Sequence, residues 1–162
     1  METREQCSPA GPSDPRDLSR ILFEQLIDWI KQNYSDARKI IEVGVGHRID
    51  VAERISKALP RAEILVTDKD ESWVRSRKSG RIRAIADDVM FPSLKPYQGA
   101  SLVYCLHPPG EIVPGLEKLA KEVGADLLIV PISDEQHDLP RDKWRELIVH
   151  GRIVGWLLDE HS

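Results

Sequence analysis

The sequence is poor in cysteine, with two residues in 162, Cys7 and Cys105. Neither a disulfide framework nor a CxxC metal site can be drawn from a pair so far apart. It also lacks any apolar run near the roughly 20 residues that cross a bilayer. The N-terminal stretch "METREQCSPAGPSDPR" carries acids and has no apolar segment of the kind that directs secretion. A cytoplasmic protein without membrane contact is the expectation. Positive charge is in deficit as well: 23 Lys and Arg against 27 Asp and Glu give a net charge of −4. A general binder of phosphate backbones needs clustered positive charge to displace counterions, so nucleic acid is not the expected partner. The hydrophobic share of 41% and charged share of 31% are ordinary for a globular chain and exclude wholesale disorder.

What is present begins with punctuation. Residues 1–13, rich in Pro, Ser and Gly, are expected as a disordered tail, and 14–162 as a single domain. Such a length buries about two-thirds of the surface its unfolded form would expose. Asp14 followed by Pro15 reads as an N-cap and first-turn proline. Leu18, Ile21, Leu22, Leu26, Trp29 and Ile30 then recur at helical spacing, predicting an amphipathic helix that ends near Asn33.

From there apolar runs alternate with amphipathic stretches. "RKIIEVG", "AEILVTD", "RIRAIADD", "ASLVYCL" and "ADLLIVPI" read as five strands, the third polar enough for a sheet edge. Val51, Ala52, Ile55, Ala58 and Leu59 mark one helix face, Glu71 to Arg77 a short helix, and "PGEIVPGLEKLAKEVG" a helix closed by Gly124. This alternation means βαβ units and a mostly parallel sheet covered on both faces, in the order 3-2-1-4-5. Beyond the fifth strand, "LPRDKWRELIVH" is expected to be helical and "RIVGWLLD" a C-terminal strand of open direction.

In such a sheet the ligand crevice lies at the carboxyl ends of the strands. Gly44 and Gly46 stand at that end of the first strand, where a missing Cβ permits a tight turn and close approach to a ligand. The dinucleotide fingerprint GxGxxG would need a third glycine at Ile49, so the match to it is partial. Glu42 gives instead an acid-x-Gly-x-Gly pattern. Asp68 closes the second strand 22 residues after Gly46, near the ~20-residue spacing at which an acid takes ribose hydroxyls. Asp87 and Asp88 close the third strand, and "CLHPPGE" closes the fourth.

These motifs resemble those of the class I S-adenosylmethionine-dependent methyltransferases, over most of the chain from about Leu18 to Leu158. The resemblance implies a three-layer Rossmann-like fold with an extra N-terminal helix, and S-adenosylmethionine as cofactor. It implies that Gly44, Gly46 and Glu42 receive the methionine end, that Asp68 takes the ribose and that Asp87 and Asp88 border the adenine. His47, following the turn, joins the cofactor set, and His107 would face the methyl donor as the catalytic candidate. Three departures stand out: Arg48 where a third glycine is common, His107 where Asp or Asn would hold an amine, and Gly110 in place of a stacking aromatic. They argue against an amine acceptor. "EVGVG" followed by His-Arg, "TDKD" and a fourth strand ending in Pro-Pro-x-Glu are more closely similar to a small uncharacterised archaeal family of methyltransferase-like domains, which has no established activity.

Each signal also has a plainer reading. The glycines could serve only the turn, Asp68 could cap the next helix, and "DD" before "FPSLKP" also reads as a turn. His47, His107 and His137, beside Asp134 and Glu135, could gather a metal in one crevice, but their spacing forms no known motif and no metal is assigned. "SWVRSRKSGRIR" is read as a solvated face ahead of an RNA contact. Whether the protein is catalytic stays open, with an unknown small or macromolecular substrate and a homodimer as further expectations. The alternatives are a non-catalytic S-adenosylmethionine- or nucleotide-binding module acting through a partner and, behind it, a NAD-binding protein without a Tyr-x-x-x-Lys pair.

Overall fold

Each central strand is apolar at consecutive positions because both faces of the sheet are covered. In a computed structural model that describes residues 15–77, 80–131 and 139–159, the strands are β1 (Lys39–Glu42), β2 (Glu63–Asp68), β3 (Arg83–Ala86), β4 (Leu102–Leu106), β5 (Asp126–Val130), β6 (Arg145–Val149) and β7 (Arg152–Leu158). The helices are α1 (Pro15–Asn33), α2 (Asp50–Ala58), α3 (Glu71–Ser76) and α4 (Val113–Val123). The expected tail and the Asp14 cap lie outside the described residues, as does the "SDEQHD" loop with His137.

Alternation along the strands sorts the core into two layers. Ile40, Ile64, Val66, Leu102, Tyr104 and Leu128 face α1 and α2 on one side, where Leu26, Ile30, Val51, Ala52 and Ile55 meet them. Ile41, Leu65, Val103, Cys105, Leu127 and Ile129 face Leu116, Leu119 and Ala120 of α4 on the other. Gly124, with φ of 72°, ends α4 in the left-handed conformation, as its place after the last apolar residue predicted.

The sheet order is β3-β2-β1-β4-β5-β7-β6. The first five strands are parallel and β3 is an edge strand, as expected. β1 and β4 are neighbours separated in sequence by two other strands, so the crossovers leave in opposite directions here. This is the topological switch point at which a crevice opens.

One expectation is corrected. "KWRELIVH" is not helical: Trp144 N–H and Lys143 N–H close a turn on the Pro140 carbonyl, and the chain continues as β6, antiparallel to β7. The run Leu147-Ile148-Val149 favours a strand, and His150 and Gly151, with φ of 50° and 76°, supply the two left-handed residues of a tight hairpin. β7 is antiparallel to β5 as well, so it lies between two partners. Trp144, 1% exposed, is driven into the core on the α4 side.

Gly155 lies on β7, between β5 and β6. A Cβ there would stand 2.8 Å from the Ile129 carbonyl oxygen and 3.1 Å from Leu128 Cδ1, and the first of these is backbone that cannot swing aside. Gly155→Ala is therefore expected to destabilise the fold by about 1–3 kcal/mol, the cost typical of overpacking. The urea midpoint measures it; an unchanged midpoint would show that β5 and β7 are not packed this closely.

Candidate functional site

β1 ends at Glu42, and the next strand turns its own end toward it. Tyr104 of β4 sits beside Glu42 in the parallel register, and its hydroxyl donates to Glu42 Oε1 at 2.7 Å. Both side chains are buried. Burial is the main cause that pushes the Glu42 carboxyl from 4.5 up to about 8, with the Asp50 charge adding to it and the Tyr104 hydrogen bond opposing it. The same burial, with Glu42 beside it, raises the Tyr104 hydroxyl well above its ordinary value. Glu42 is thus mostly protonated at neutral pH.

After Val43 the chain makes a turn in which Gly44, Gly46 and His47 all have positive φ, of 65°, 61° and 68°. At both glycines a Cβ would meet nothing within 4 Å. The backbone conformation, not crowding, calls for glycine, and the space above the turn is open. Asp68 at the end of β2 holds the turn: its Oδ2 accepts from Gly46 N–H at 2.8 Å and its Oδ1 from Asp70 N–H at 2.9 Å. The cap of α3 is Asp70, which accepts from Trp73 N–H, so capping is not the task of Asp68.

The non-glycine residue of the turn is tied down separately. His47 Nε2 lies 3.0 Å from Asp70 Oδ2, and its ring stacks on Trp73 with centroids 4.9 Å apart and planes 12° apart. The Asp70 carboxyl is held below its usual range, chiefly by the Trp73 backbone N–H; desolvation opposes this, and His47 adds to the lowering. His47 therefore packs sideways onto α3, and lines neither of the two clefts at this end of the sheet.

The smaller cleft, about 390 Å³, is lined by Gly44, Asp68, Asp87, Asp88, His107 and Glu111, with Val89, Met90 and Ile112 as apolar wall. The larger, about 820 Å³, lies on the α1 side and is lined by Glu42, Gly44, Gly46 and His107 together with Arg20, Phe23, Arg48 and Arg54. His107 belongs to both. Its φ of 55° turns it out of the end of β4, and its ring centroid is 6.1 Å from that of Phe23 on α1. The aspartates differ in how free they are. Asp87 commits Oδ1 to Ser93 N–H and Oδ2 to the Tyr97 hydroxyl, whereas Asp88 commits Oδ1 to Met90 N–H.

The structure thus brings Glu42, Gly44, Gly46, Asp68, Asp87, Asp88 and His107 to one end of the sheet and turns His47 aside. Among the described residues no group of three or more His, Cys, Asp or Glu could hold a metal ion, and His137, Asp134 and Glu135 lie outside them. In the basic stretch, Arg75 pairs with Glu71 at 3.4 Å, Arg77 lies 5.2 Å over Trp73, and Arg81 donates to the Pro60 carbonyl. Sequence reasoning missed Tyr104, Arg20, Phe23 and Arg54. Tyr104 could have been found as the cross-strand neighbour of Glu42; the others depend on how α1 packs on α2.

The profile of an uncharacterised protein family, UPF0146, matches residues 23–152. A UPF0146 protein of Archaeoglobus fulgidus is 39% identical over 108 residues, 67% of this chain and 77% of that protein. Among solved structures, the S-adenosylmethionine-dependent methyltransferase SibL in its apo form aligns with a TM-score of 0.61 at 14% identity, over 88% of this chain and 55% of that one. Human N-acetylserotonin methyltransferase in complex with S-adenosylmethionine aligns with a TM-score of 0.55 at 14% identity, over 79% and 39%. The chain spans about half or less of these two enzymes, and at such identity the likeness is one of fold. No helix among the described residues is long and apolar enough to cross a membrane.

Glu42 gives the site a signature in stability. The unfolded carboxyl ionises near 4.5 while the folded one keeps its proton to about 8. Its contribution is therefore full below the lower value and is lost as pH rises through the upper one. Glu42→Gln cannot titrate and retains an acceptor for Tyr104. Its stability relative to the parent should improve steadily between about pH 5 and pH 8, read from urea midpoints. Parallel curves for the two proteins would mean that Glu42 is ionised in the fold.

Proposed function

The chain belongs to the uncharacterised protein family UPF0146, which has members in archaea, and on that premise we propose that it binds S-adenosylmethionine as a methyltransferase-like protein. The observation that carries the reading is the smaller cleft, where an open left-handed glycine turn, Asp68 and Asp88 meet. Asp68 spends one lone pair of each oxygen on backbone N–H groups and has further acceptor capacity for ribose hydroxyls. Asp88 retains Oδ2 for an adenine amino group, while Asp87, accepting from Ser93 N–H and the Tyr97 hydroxyl, holds the loop and keeps the same second lone pairs as Asp68. Val89, Met90 and Ile112 offer an apolar wall to a flat heterocycle.

The charge of the cleft supports this cofactor over NAD. Three aspartates and Glu111 face a ligand with Lys69 as the cationic side chain in the lining. A pyrophosphate would be repelled there, and Ile49 stands where the dinucleotide turn needs its third glycine. A cationic ligand is favoured by the same field. When bound, S-adenosylmethionine supplies an electrophilic methyl group on a sulfonium. The protein's part is to align an acceptor with it, and His107, facing both clefts, is the group placed to take a proton from that acceptor. A binding module without chemistry is the second reading, favoured by the same residue, since His107 replaces the acid or amide of the methyltransferase motif.

Calorimetric titration with S-adenosylmethionine, S-adenosylhomocysteine and NAD tests the proposal. The first two should bind in the micromolar range, and NAD should not displace them. Asp88→Ala, which removes a surface carboxylate, should weaken both by about tenfold, as expected for the loss of one charge-assisted hydrogen bond. Failure of the folded protein to bind either adenosyl compound would sink the reading. His107→Ala then separates the two forms of it: unchanged cofactor affinity with methyl transfer abolished marks an enzyme.

A further inference from the structure

The larger cleft has the opposite charge from the smaller one, and the aspartates on which the cofactor reading rests do not account for that. Three guanidinium groups line it, Arg20 from α1 and Arg48 and Arg54 from the start of α2 and its approach. Their ionic partners hold them loosely. Arg20 is 3.7 Å from Glu24, Arg54 is 3.6 Å from the same carboxylate oxygen, and Arg48 is 3.7 Å from Asp50. These separations are too long for good hydrogen bonds, and the three side chains are 75%, 47% and 79% exposed. Most of their N–H donors are therefore available to a ligand.

The lining carboxyls do not cancel this charge. Asp50 is a single carboxyl against three guanidinium groups, Glu24 is not part of the lining, and Glu42, at the floor, holds its proton up to about pH 8. The N-terminus of α2 opens into the same space without a side-chain cap, its N-cap residue being Ile49. Planar guanidinium forks and free backbone N–H groups together suit an oxyanion with several acceptor oxygens. The volume, about 820 Å³, is that of a small-molecule site.

We propose that this cleft is a binding site for a small phosphate-bearing molecule, gripped by Arg20, Arg48 and Arg54, with its uncharged part directed toward His107. The inference deepens the cofactor reading and rests on it in one respect: because Gly44, Leu106 and His107 line both clefts, the molecule held here is the second substrate of that site. A cationic acceptor is disfavoured by the same arginines. Phe23, partly buried beside His107, adds an apolar surface to the wall of the cleft.

Inorganic pyrophosphate is the probe, titrated calorimetrically at fixed ionic strength into the full chain, with S-adenosylhomocysteine titrated separately. The parent protein should bind pyrophosphate at one site. The double variant R20A/R54A should bind it at least tenfold more weakly, while its affinity for S-adenosylhomocysteine stays within twofold. R20K/R54K, which keeps the charges and loses the forks, should fall between them. Because both arginines are exposed, retained adenosyl binding or an unchanged thermal midpoint shows that the variants fold. Absence of pyrophosphate binding to the parent, or equal binding by parent and R20A/R54A, would overturn the inference. So would loss of S-adenosylhomocysteine binding in the variant, which would assign the arginines to the cofactor's own carboxylate. Pyrophosphate binding that is lost in R20A/R54A, in a protein that binds no adenosyl compound, would uphold the anion site and overturn the cofactor reading instead.

Discussion

The bond from Gly46 N–H to Asp68 Oδ2 ties the turn after β1 to the end of β2 across 22 positions of sequence, and the shape of the site depends on it. Three residues of the turn that it ties have left-handed backbones, which Gly44 and Gly46 adopt at little cost and His47 does not. Asp68 offers its other oxygen to Asp70 N–H, and Asp70 in turn caps α3 and holds His47. One carboxylate thus fixes the glycine turn and, through its neighbour, the helix beside it. α2 leaves the turn in a set direction as a result, and that direction decides where Arg48 and Arg54 point.

Above this framework the site is divided by charge. Aspartates collect on the β2 and β3 side, arginines on the α1 and α2 side, and the boundary runs along Gly44 and His107. A buried, protonated Glu42 keeps the two fields from cancelling at the centre: were it ionised there, it would face the arginines from below and draw them inward. Tyr104 stabilises it in place without supplying a charge. A polar floor that is neutral near pH 7 leaves the acidic and the basic side of the site distinct.

Much of this was legible in the sequence, and the failures have physical reasons. The five parallel strands could be read because strands covered on both faces are continuous apolar runs, as in Ile40-Ile41 and Ile64-Leu65-Val66. The acids at their ends could be read because the turn geometry requires a fixed spacing. β6 reads as a helix in sequence because Trp144, Leu147 and Ile148 also suit helical spacing; the signal against it is the His150-Gly151 turn, where histidine takes the conformation more often given to asparagine. His47 and His107 look alike in sequence, each following a strand end. Only the neighbours separate them, since Trp73 and Asp70 capture the first while the second projects beside Phe23. The arginine cleft was invisible because its members lie 34 positions apart on two helices, and nothing local marks the faces that meet.

The helix that precedes the sheet bears on how such a domain could acquire specificity. α1 is anchored by Leu26 and Ile30, both fully buried, so its later turns belong to the core. Its earlier turn, with Arg20 and Phe23, extends over the carboxyl ends of the strands and forms the outer wall of the larger cleft. The two functions are separated by less than two turns of one helix. Substitutions at Arg20 or Phe23 can therefore change what the cleft accepts without altering the residues that hold α1 to the sheet, whereas the glycine turn and Asp68 allow no such freedom. In a domain spanning about half the length of the enzymes it resembles, this first helix wall is where selectivity for a second ligand can be built from the chain itself.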